Sequence, residues 1–329
     1  MQSGSANRSD PAHVPAGRVP DFFVVGHAKS GTTALYAMLS QHPQIFLGVK
    51  EPRFFAEELR VRDMPRLGGT PQTLSDYKSW YRDARPEQLV GDISPDYLWS
   101  HRAAELIAEV QPQARIVAIL REPASFLYSL HRQWLRHYVE VESDFRRALE
   151  LEQSRLQGQN MPSDTYWPKA LFYSDHVRYV EQLRRYEERF GRERMLVLIY
   201  DDYRRDNDAT VRAVLRFLGV DEHVAIRERD SNPSVHVQSP RLHGLLRRLV
   251  VADRPGFAAT KGFVKALTPM RMRQGALHTM RKRVVYGEPE PPDAAFMLEL
   301  RRRFKPEVVA LSEYLDRDLV GLWGYDEAS

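Results

Sequence analysis

FFVVGHAKSGTT, residues 22–33, is the stretch that decides the fold. Its first four residues are a short apolar run, which predicts a buried β-strand, and the segment from Gly31 to Leu39 predicts the helix that follows. The loop between them begins at Gly26 and contains a second glycine, Gly31. Main-chain amides and a helix N-terminus in this arrangement bind phosphate in many proteins. The stretch therefore predicts a phosphate-binding loop at the start of the ordered chain.

Three further apolar runs predict strands at Val90–Ile93, Arg115–Leu120 and Met195–Ile199. Helical patterns separate them, and this alternation indicates an α/β fold with a P-loop-like parallel sheet flanked by helices on both faces. After Val220 the strand signal stops, and a helix-rich basic C-terminal segment precedes one last helix. The predicted helices after the first cover about residues 124–138, 177–186, 208–218 and 293–315, the last with a kink at Pro306.

Charge is distributed unevenly along the 329 residues. The formal net charge is +4, but residues 231–286 hold eleven basic residues and one acid, so this segment carries +10 and the remainder −6. Such a segment usually faces an anion: a nucleotide, a nucleic acid, an anionic lipid surface or an acidic substrate. We expect a flexible tail at residues 1–20 and a single domain at residues 21–329, of which the basic segment is a variable part. The absence of cysteine excludes disulfides, thiolate nucleophiles and cysteine-based metal sites.

The loop departs from the triphosphate-binding pattern G-x-x-x-x-G-K-[ST] at one position. Gly26 and Gly31 keep the spacing, but Thr32 stands where the lysine belongs, and the lysine lies inside the loop as Lys29. The order K-[ST]-G-T-T after a first strand resembles the 5′-phosphosulfate loop of sulfotransferases that use 3′-phosphoadenosine 5′-phosphosulfate (PAPS). The resemblance implies that Lys29 stabilises the departing phosphate and that no metal is required. It also implies that the phosphate oxygens are held by Ser30, Gly31, Thr32 and Thr33.

PAPS also carries a 3′-phosphate, so the resemblance implies a second anion site. Arg121 ends the third predicted strand, and Ser129 follows eight residues later in the next helix, as in the 3′-phosphate motif of the same family. Arginine offers phosphate a bidentate fork, and serine adds a hydroxyl donor. These enzymes also place a Lys/Arg-Gly loop on the 3′-phosphate before the last helix. The basic cluster Arg281, Lys282 and Arg283 resembles that loop, although no glycine adjoins it.

A candidate general base follows the first helix. The string KEPRFF, which contains Glu51, resembles one in the Golgi heparan sulfate sulfotransferases, in which the glutamate is taken as the base. The resemblance implies that Glu51 removes the acceptor's proton and that Lys50 lies in the acceptor site. The string GDISPDY resembles another of the same group and makes Asp92 and Ser94 acceptor-site candidates. A histidine base stays open, with spare candidates in His101, His131 and His137.

The motifs together resemble a bacterial type of PAPS-dependent sulfotransferase, similar to the heparan sulfate enzymes. The resemblance implies sulfuryl transfer to a hydroxyl or amine of a small-molecule, glycan or lipid-linked acceptor, with release of adenosine 3′,5′-bisphosphate. Two alternatives stay open: a nucleotide-dependent kinase with an altered phosphate loop, and a non-catalytic binder of anions or membrane surfaces. No apolar run is long enough for a signal peptide or a membrane span. We therefore expect a cytoplasmic protein that binds no nucleic acid, with peripheral membrane contact and oligomeric state left open.

Overall fold

The computed structural model describes residues 17–59, 70–137, 139–163, 165, 167–227, 236–237, 286–287 and 291–327. The strands of its main sheet are β1 (Phe22–Val24), β2 (Ile45–Leu47), β3 (Leu89–Ile93), β4 (Arg115–Leu120) and β5 (Met195–Ile199). All five are parallel, in the order β2-β3-β1-β4-β5. The helices are α1 (Thr32–Leu39), α2 (Leu74–Ser79), α3 (Ala103–Val110), α4 (Pro123–Arg136), α5 (Phe145–Glu150), α6 (Glu152–Leu156), α7 (Tyr179–Phe190), α8 (Tyr200–Arg205), α9 (Asn207–Leu218), α10 (Ala294–Leu315) and α11 (Leu319–Leu322).

β1 lies in the middle of the sheet, and its side chains alternate between two cores. Phe23 belongs to the core on one face, whereas Phe22 and Val24 belong to the core on the other. All three side chains are fully buried. α1 and α9 cover the Phe22 face, and α3, α4, α7 and α10 pack on the opposite face. The predicted α/β fold, with helices on both faces of a parallel sheet, is confirmed.

The strand order brings three loops to one edge of the sheet. The chain starts at β1 in the middle, fills one side with β2 and β3, and then crosses to the other side with β4 and β5. Ligands of open parallel sheets bind at the carboxyl ends of the strands, where this order reverses. The loops after β1, β3 and β4 meet there, and they carry the phosphate loop, Ser94 and Arg121 respectively. The fold thus gathers motifs that are far apart in the sequence.

The structure adds one strand to the main sheet that the sequence analysis did not predict. The strand β2 was not predicted, because its three residues are too few to show an alternating pattern. Pairing fixes its place instead, since Ile45 lies opposite Leu89 of β3. The last helix is present as α10, and Pro306 lies inside one continuous helical span.

The described part of the basic segment is a short antiparallel pair that the sequence did not predict. β6 (His236–Val237) pairs with β7 (Tyr286–Gly287), with His236 opposite Gly287 and Val237 opposite Tyr286. β6 also lies against α4. The predicted helices of this segment lie outside the described residues. Within the described ranges, no helix combines the length and the apolar character that crossing a membrane requires.

Candidate active site

The phosphate loop bends through two residues with left-handed backbone. Gly31, the residue before α1, has a φ of 88°, and Lys29 has a φ of 68°. Glycine takes such a conformation without strain. Gly31 is also tightly enclosed, since a Cβ there would lie 3.1–3.2 Å from the rings of Tyr203 and Tyr200. Backbone conformation and packing therefore both favour glycine at this position.

The N-terminus of α1 has no side-chain cap among the described residues. The hydroxyl of Ser30 is fully buried at the same end and has no hydrogen-bond partner in the described part of the chain. The N-terminus of α4, by contrast, is capped: the side chain of Glu122 accepts hydrogen bonds from the amides of Ala124 and Ser125. The open amides at α1 and the unused hydroxyl fit an anion, as does the positive end of the helix dipole.

Lys29 lies among arginine side chains. Burial, reinforced by the guanidinium groups of Arg136, Arg121 and Arg132, lowers the pKa of its ammonium to about 8. The ammonium is still largely protonated at pH 7 and is able to neutralise an anion. Arg121 is joined to the loop directly, because its Nη1 donates a hydrogen bond of 3.0 Å to the main-chain oxygen of Lys29. The two predicted anion motifs thus meet at Lys29.

Arg121 is held from two further sides. Its guanidinium lies 5.0 Å from the centre of the Tyr200 ring, and its main-chain oxygen accepts a hydrogen bond of 2.9 Å from Tyr179. Ser129 is buried in the second turn of α4, the helix that follows Arg121. Thr32 is buried as the first residue of α1. The structure therefore brings Arg121, Ser129 and Thr32 to adjoining elements at one sheet edge.

The segment after β2 returns to the phosphate loop. The ammonium of Lys50 donates hydrogen bonds to Thr33 Oγ1 at 2.9 Å and to Glu51 Oε1 at 3.3 Å. Arg53 donates to the other carboxylate oxygen of Glu51 at 2.6 Å. Burial raises the pKa of Glu51, but Arg53 and Lys50 outweigh this effect and hold the pKa below its usual value. Glu51 is therefore ionised at neutral pH, beside the loop.

Arg53 connects Glu51 to the end of β3. Its guanidinium forms an ion pair with Asp96, and its main-chain amide donates a hydrogen bond of 3.1 Å to Ser94 Oγ. The Ser94 hydroxyl in turn donates to Asp92 Oδ1 at 2.7 Å. The two predicted acceptor-site residues, Asp92 in β3 and Ser94 directly after it, are therefore linked to Glu51 through Arg53.

Asp92 is enclosed by hydroxyl groups. Tyr77 and Tyr97 donate hydrogen bonds to its Oδ2 at 2.7 and 2.8 Å, opposite the bond from Ser94. Burial raises the pKa of Asp92 to about 6, against the opposing effect of these hydroxyls. Asp92 is 1% exposed and joins these three neighbouring side chains through its hydrogen bonds.

A small cavity lies on the inner side of the phosphate loop. His27 and Ala28 of the loop line it together with Asp96, Phe126 and Trp134. The rings of His27 and Phe126 are 4.8 Å apart, so α4 packs directly on the loop. The wall opposite the loop is therefore largely aromatic, with the Asp96 carboxylate at its edge.

His27 is a loop residue that the sequence analysis did not select. The amide nitrogen of Gln182 donates to the main-chain oxygen of Asp175, so its amide oxygen faces His27 Nε2, at 2.8 Å. We assign the proton to Nε2, because an amide oxygen only accepts. Burial lowers the pKa of His27 to about 4, and the ring is therefore neutral at pH 7.

The three histidines named as alternative bases contact groups other than those that surround His27. Nε2 of the buried His131 lies 2.8 Å from the main-chain oxygen of Glu142, and His101 Nδ1 lies 3.2 Å from Arg185 Nη1. His137 ends α4. Within the described ranges, no group of three or more histidine, aspartate and glutamate side chains is placed to hold a metal ion.

Some site residues lie beyond the sequence motifs. Arg132 and Arg136 follow Ser129 by three and seven residues, and this spacing on one helix face was a usable signal. No sequence pattern marks Tyr200 or Arg53, because the residues that they contact in the site are brought near them only by the fold. The predicted 3′-phosphate cluster lies outside the described residues: Arg281, Lys282 and Arg283.

Comparison with known proteins identifies the family of this chain and several of its relatives. The sulfotransferase domain family model matches residues 19–233. The bifunctional heparan sulfate N-deacetylase/N-sulfotransferase 4 of Mus musculus is 27% identical over 213 residues, 62% of this chain and 23% of that protein. The corresponding enzyme 3 of Homo sapiens is 28% identical over 215 residues, 63% of this chain and again 23% of the relative. The match thus covers about a quarter of the length of these relatives.

A solved structure shows the same fold. The crystal structure of a sulfotransferase from Alicyclobacillus acidocaldarius matches with a TM-score of 0.64 and 24% identity, over 93% of this chain and 99% of the other. The family model covers well over half of the chain. The chain therefore belongs to the sulfotransferase domain family.

Proposed function

We propose that this protein transfers the sulfuryl group of PAPS to a hydroxyl or amine of an acceptor and releases adenosine 3′,5′-bisphosphate, without a metal. The observation that carries the proposal is the uncapped N-terminus of α1, where the unused Ser30 hydroxyl and the Lys29 ammonium adjoin a helix end suited to an anion. Arg121, bonded to Lys29, supports a second phosphate site together with Ser129. The acceptor is a small molecule, a glycan or a lipid-linked sugar. The relatives named for N-sulfotransfer on heparan sulfate favour a sugar amine within this range.

Two side chains divide the chemistry between them. Lys29 neutralises the charge that grows on the 5′-phosphate oxygen as the bond from that oxygen to sulfur breaks. Glu51 accepts the proton that the acceptor oxygen or nitrogen loses as its own bond to sulfur forms. Lys50 contacts both Thr33 and Glu51 and so holds the base against the loop. Positioning and charge stabilisation supply most of the rate, by analogy with phosphoryl transfer.

The lowered pKa of Glu51 determines whether proton removal comes before or after the acceptor begins to bond to sulfur. A carboxylate beside Arg53 and Lys50 is a weak base, so it does not remove a proton from an unreacted alcohol. An amine acceptor reacts in its neutral form, because only that form has the lone pair that bonds to sulfur. The proton leaves after the acceptor atom has begun to bond to sulfur, because that atom is then far more acidic. Glu51 needs only to be ionised and close at that moment.

Stabilisation by ligands separates this proposal from the alternatives. In EDTA, adenosine 3′,5′-bisphosphate at 100 times its Kd should stabilise the protein by about 2.7 kcal/mol, seen as a rise in Tm. Stabilisation by Mg²⁺-ATP but not by adenosine 3′,5′-bisphosphate would refute the PAPS donor and favour a kinase. Steeply salt-dependent anion binding that survives Lys29→Ala would favour a non-catalytic binder.

A further inference from the structure

The helix α4 carries two arginines outside the predicted motifs. Arg132 and Arg136 lie on the same helix face as Ser129, three and seven residues after it. Arg132 is partly buried, and its Nε and Nη2 atoms are enclosed without a hydrogen-bond partner in the described part of the chain. Its guanidinium lies 5.5 Å from the centre of the Tyr128 ring. An enclosed guanidinium with unused donors is costly unless a ligand accepts hydrogen bonds from it.

This face of α4 lies near the phosphate loop. The helix packs on the loop through the Phe126 and His27 rings. Burial is the main cause of the lowered pKa of the Lys29 ammonium, and Arg136 is the largest charge effect on it, followed by Arg121 and Arg132. Both arginines of α4 therefore act on the group proposed to stabilise the leaving phosphate.

Lys29 has three cationic neighbours among the described residues: Arg121 and Arg132 are partly buried, and Arg136 is exposed. Within the described ranges, no ion pair involves any of the four: Lys29, Arg121, Arg132 and Arg136. Like charges in a partly buried place repel one another, and an anion bound between them removes that cost. The 5′- and 3′-phosphates of PAPS account for Lys29 and Arg121. Arg132 and Arg136 remain available to a further anionic group.

We propose that Arg132 and Arg136 form a subsite for an acidic group of the acceptor, a carboxylate or a phosphate ester, held beside Lys29; this inference rests on the proposed function. Arg136 lies about 10 Å along α4 beyond Ser129, at ~1.5 Å per residue, so the pair extends past the site proposed for the 3′-phosphate. Guanidinium forks bind both kinds of oxyanion in bidentate fashion. The protein therefore prefers acidic acceptors to neutral ones of the same shape.

Phosphate titration of the nucleotide complex tests the subsite. Inorganic phosphate is the probe, added to full-length protein saturated with adenosine 3′,5′-bisphosphate, because it fits an oxyanion site that the nucleotide leaves open. We expect phosphate to bind the wild type and to bind the Arg132→Gln/Arg136→Gln variant about tenfold more weakly or worse, with the nucleotide Kd changed less than about threefold. Calorimetry measures both constants. The matched control is Arg184→Gln/Arg189→Gln, which removes two exposed arginines of α7 and should change neither constant.

Three results would overturn the subsite. The first is that phosphate does not bind the wild type saturated with nucleotide. The second is that the control variant loses as much phosphate affinity as the double variant. The third is that the nucleotide affinity of the double variant falls by the same factor as its phosphate affinity. If the double variant does not fold, Arg132→Lys/Arg136→Lys keeps the charges but removes the forks. Weaker phosphate binding by that variant supports the subsite, and unchanged binding overturns it. A wild type that binds no adenosine 3′,5′-bisphosphate refutes the proposed donor instead, so the two failures are distinguishable.

Discussion

The guanidinium of Arg121 donates a hydrogen bond of 3.0 Å to the main-chain oxygen of Lys29. These residues meet because β1 and β4 are neighbouring parallel strands: Arg121 directly follows β4, and Lys29 lies in the loop between β1 and α1. The bond joins the loop proposed for the 5′-phosphosulfate to the residue proposed for the 3′-phosphate. A change at Arg121 should therefore disturb both ends of the nucleotide site.

Replacing Arg121 by Lys keeps the charge but removes the planar fork that reaches the Lys29 carbonyl. We expect the affinity for adenosine 3′,5′-bisphosphate, measured by calorimetry, to fall about tenfold to a hundredfold. Arg115→Lys is the matched control, because Arg115 begins the same strand and donates to the main-chain oxygen of Leu218. An equal loss of affinity in both variants would contradict the assignment of Arg121.

Gly31→Ala tests the shape of the loop. A Cβ on left-handed backbone costs about 1–2 kcal/mol, and at this position it also presses on the rings of Tyr203 and Tyr200. We expect lower stability in urea and weaker nucleotide binding. Gly158→Ala carries only the backbone cost, since Gly158 has a φ of 76° and open space around its Cβ position. Nucleotide binding that weakens equally in both variants would argue against a role for the loop shape.

Glu51→Gln removes the proposed base but keeps the size of the side chain. We expect the turnover number to fall by about 10²–10⁴, the range for a general base, with nucleotide affinity nearly unchanged. Glu57→Gln, an exposed glutamate six residues later, is the control and should keep full turnover. If Glu51→Gln also keeps full turnover, another group is the base.

Asp92 makes stability depend on pH. Its pKa is raised from 3.8 to about 6, so the folded protein holds a proton that the unfolded chain releases in that range. Its contribution to the free energy of unfolding is therefore fully favourable below the unfolded pKa and is lost as pH rises through the folded pKa. Between pH 4 and pH 7 the wild type should lose about 2 kcal/mol more than Asp92→Asn, in urea unfolding at each pH. Parallel curves for the two proteins would contradict this account.

Much of the fold was predictable because its central strands are continuous apolar runs. β1 and β4 are buried on both faces, which leaves a clear signal in the sequence. β5 lies at the edge of the sheet and is fully buried only at Leu198 and Ile199, but its five residues are all apolar. β2 was not predictable, since three residues show no pattern and only pairing with β3 defines them.

The parts of the site that lie within one short motif could be predicted from the sequence. The contacts between segments that are far apart in the sequence could not. The left-handed turn at Gly31 and the position of Arg121 follow from short stretches of sequence. The contact of Lys50 with Thr33 depends on the path of the chain after β2. The surroundings of Asp92 also depend on folding, because Tyr77, which donates a hydrogen bond to it, lies fifteen residues earlier in the chain.

The most direct test of the account is transfer of ³⁵S from labelled PAPS to an extract of the source organism, with EDTA present and the labelled product identified by mass. The wild type and Lys169→Ala, a change at an exposed lysine, should give the same labelled product. Lys29→Ala should lose about 10²–10³ of the rate while remaining folded by circular dichroism. No labelled product from the wild type, or full transfer by Lys29→Ala, would contradict the account.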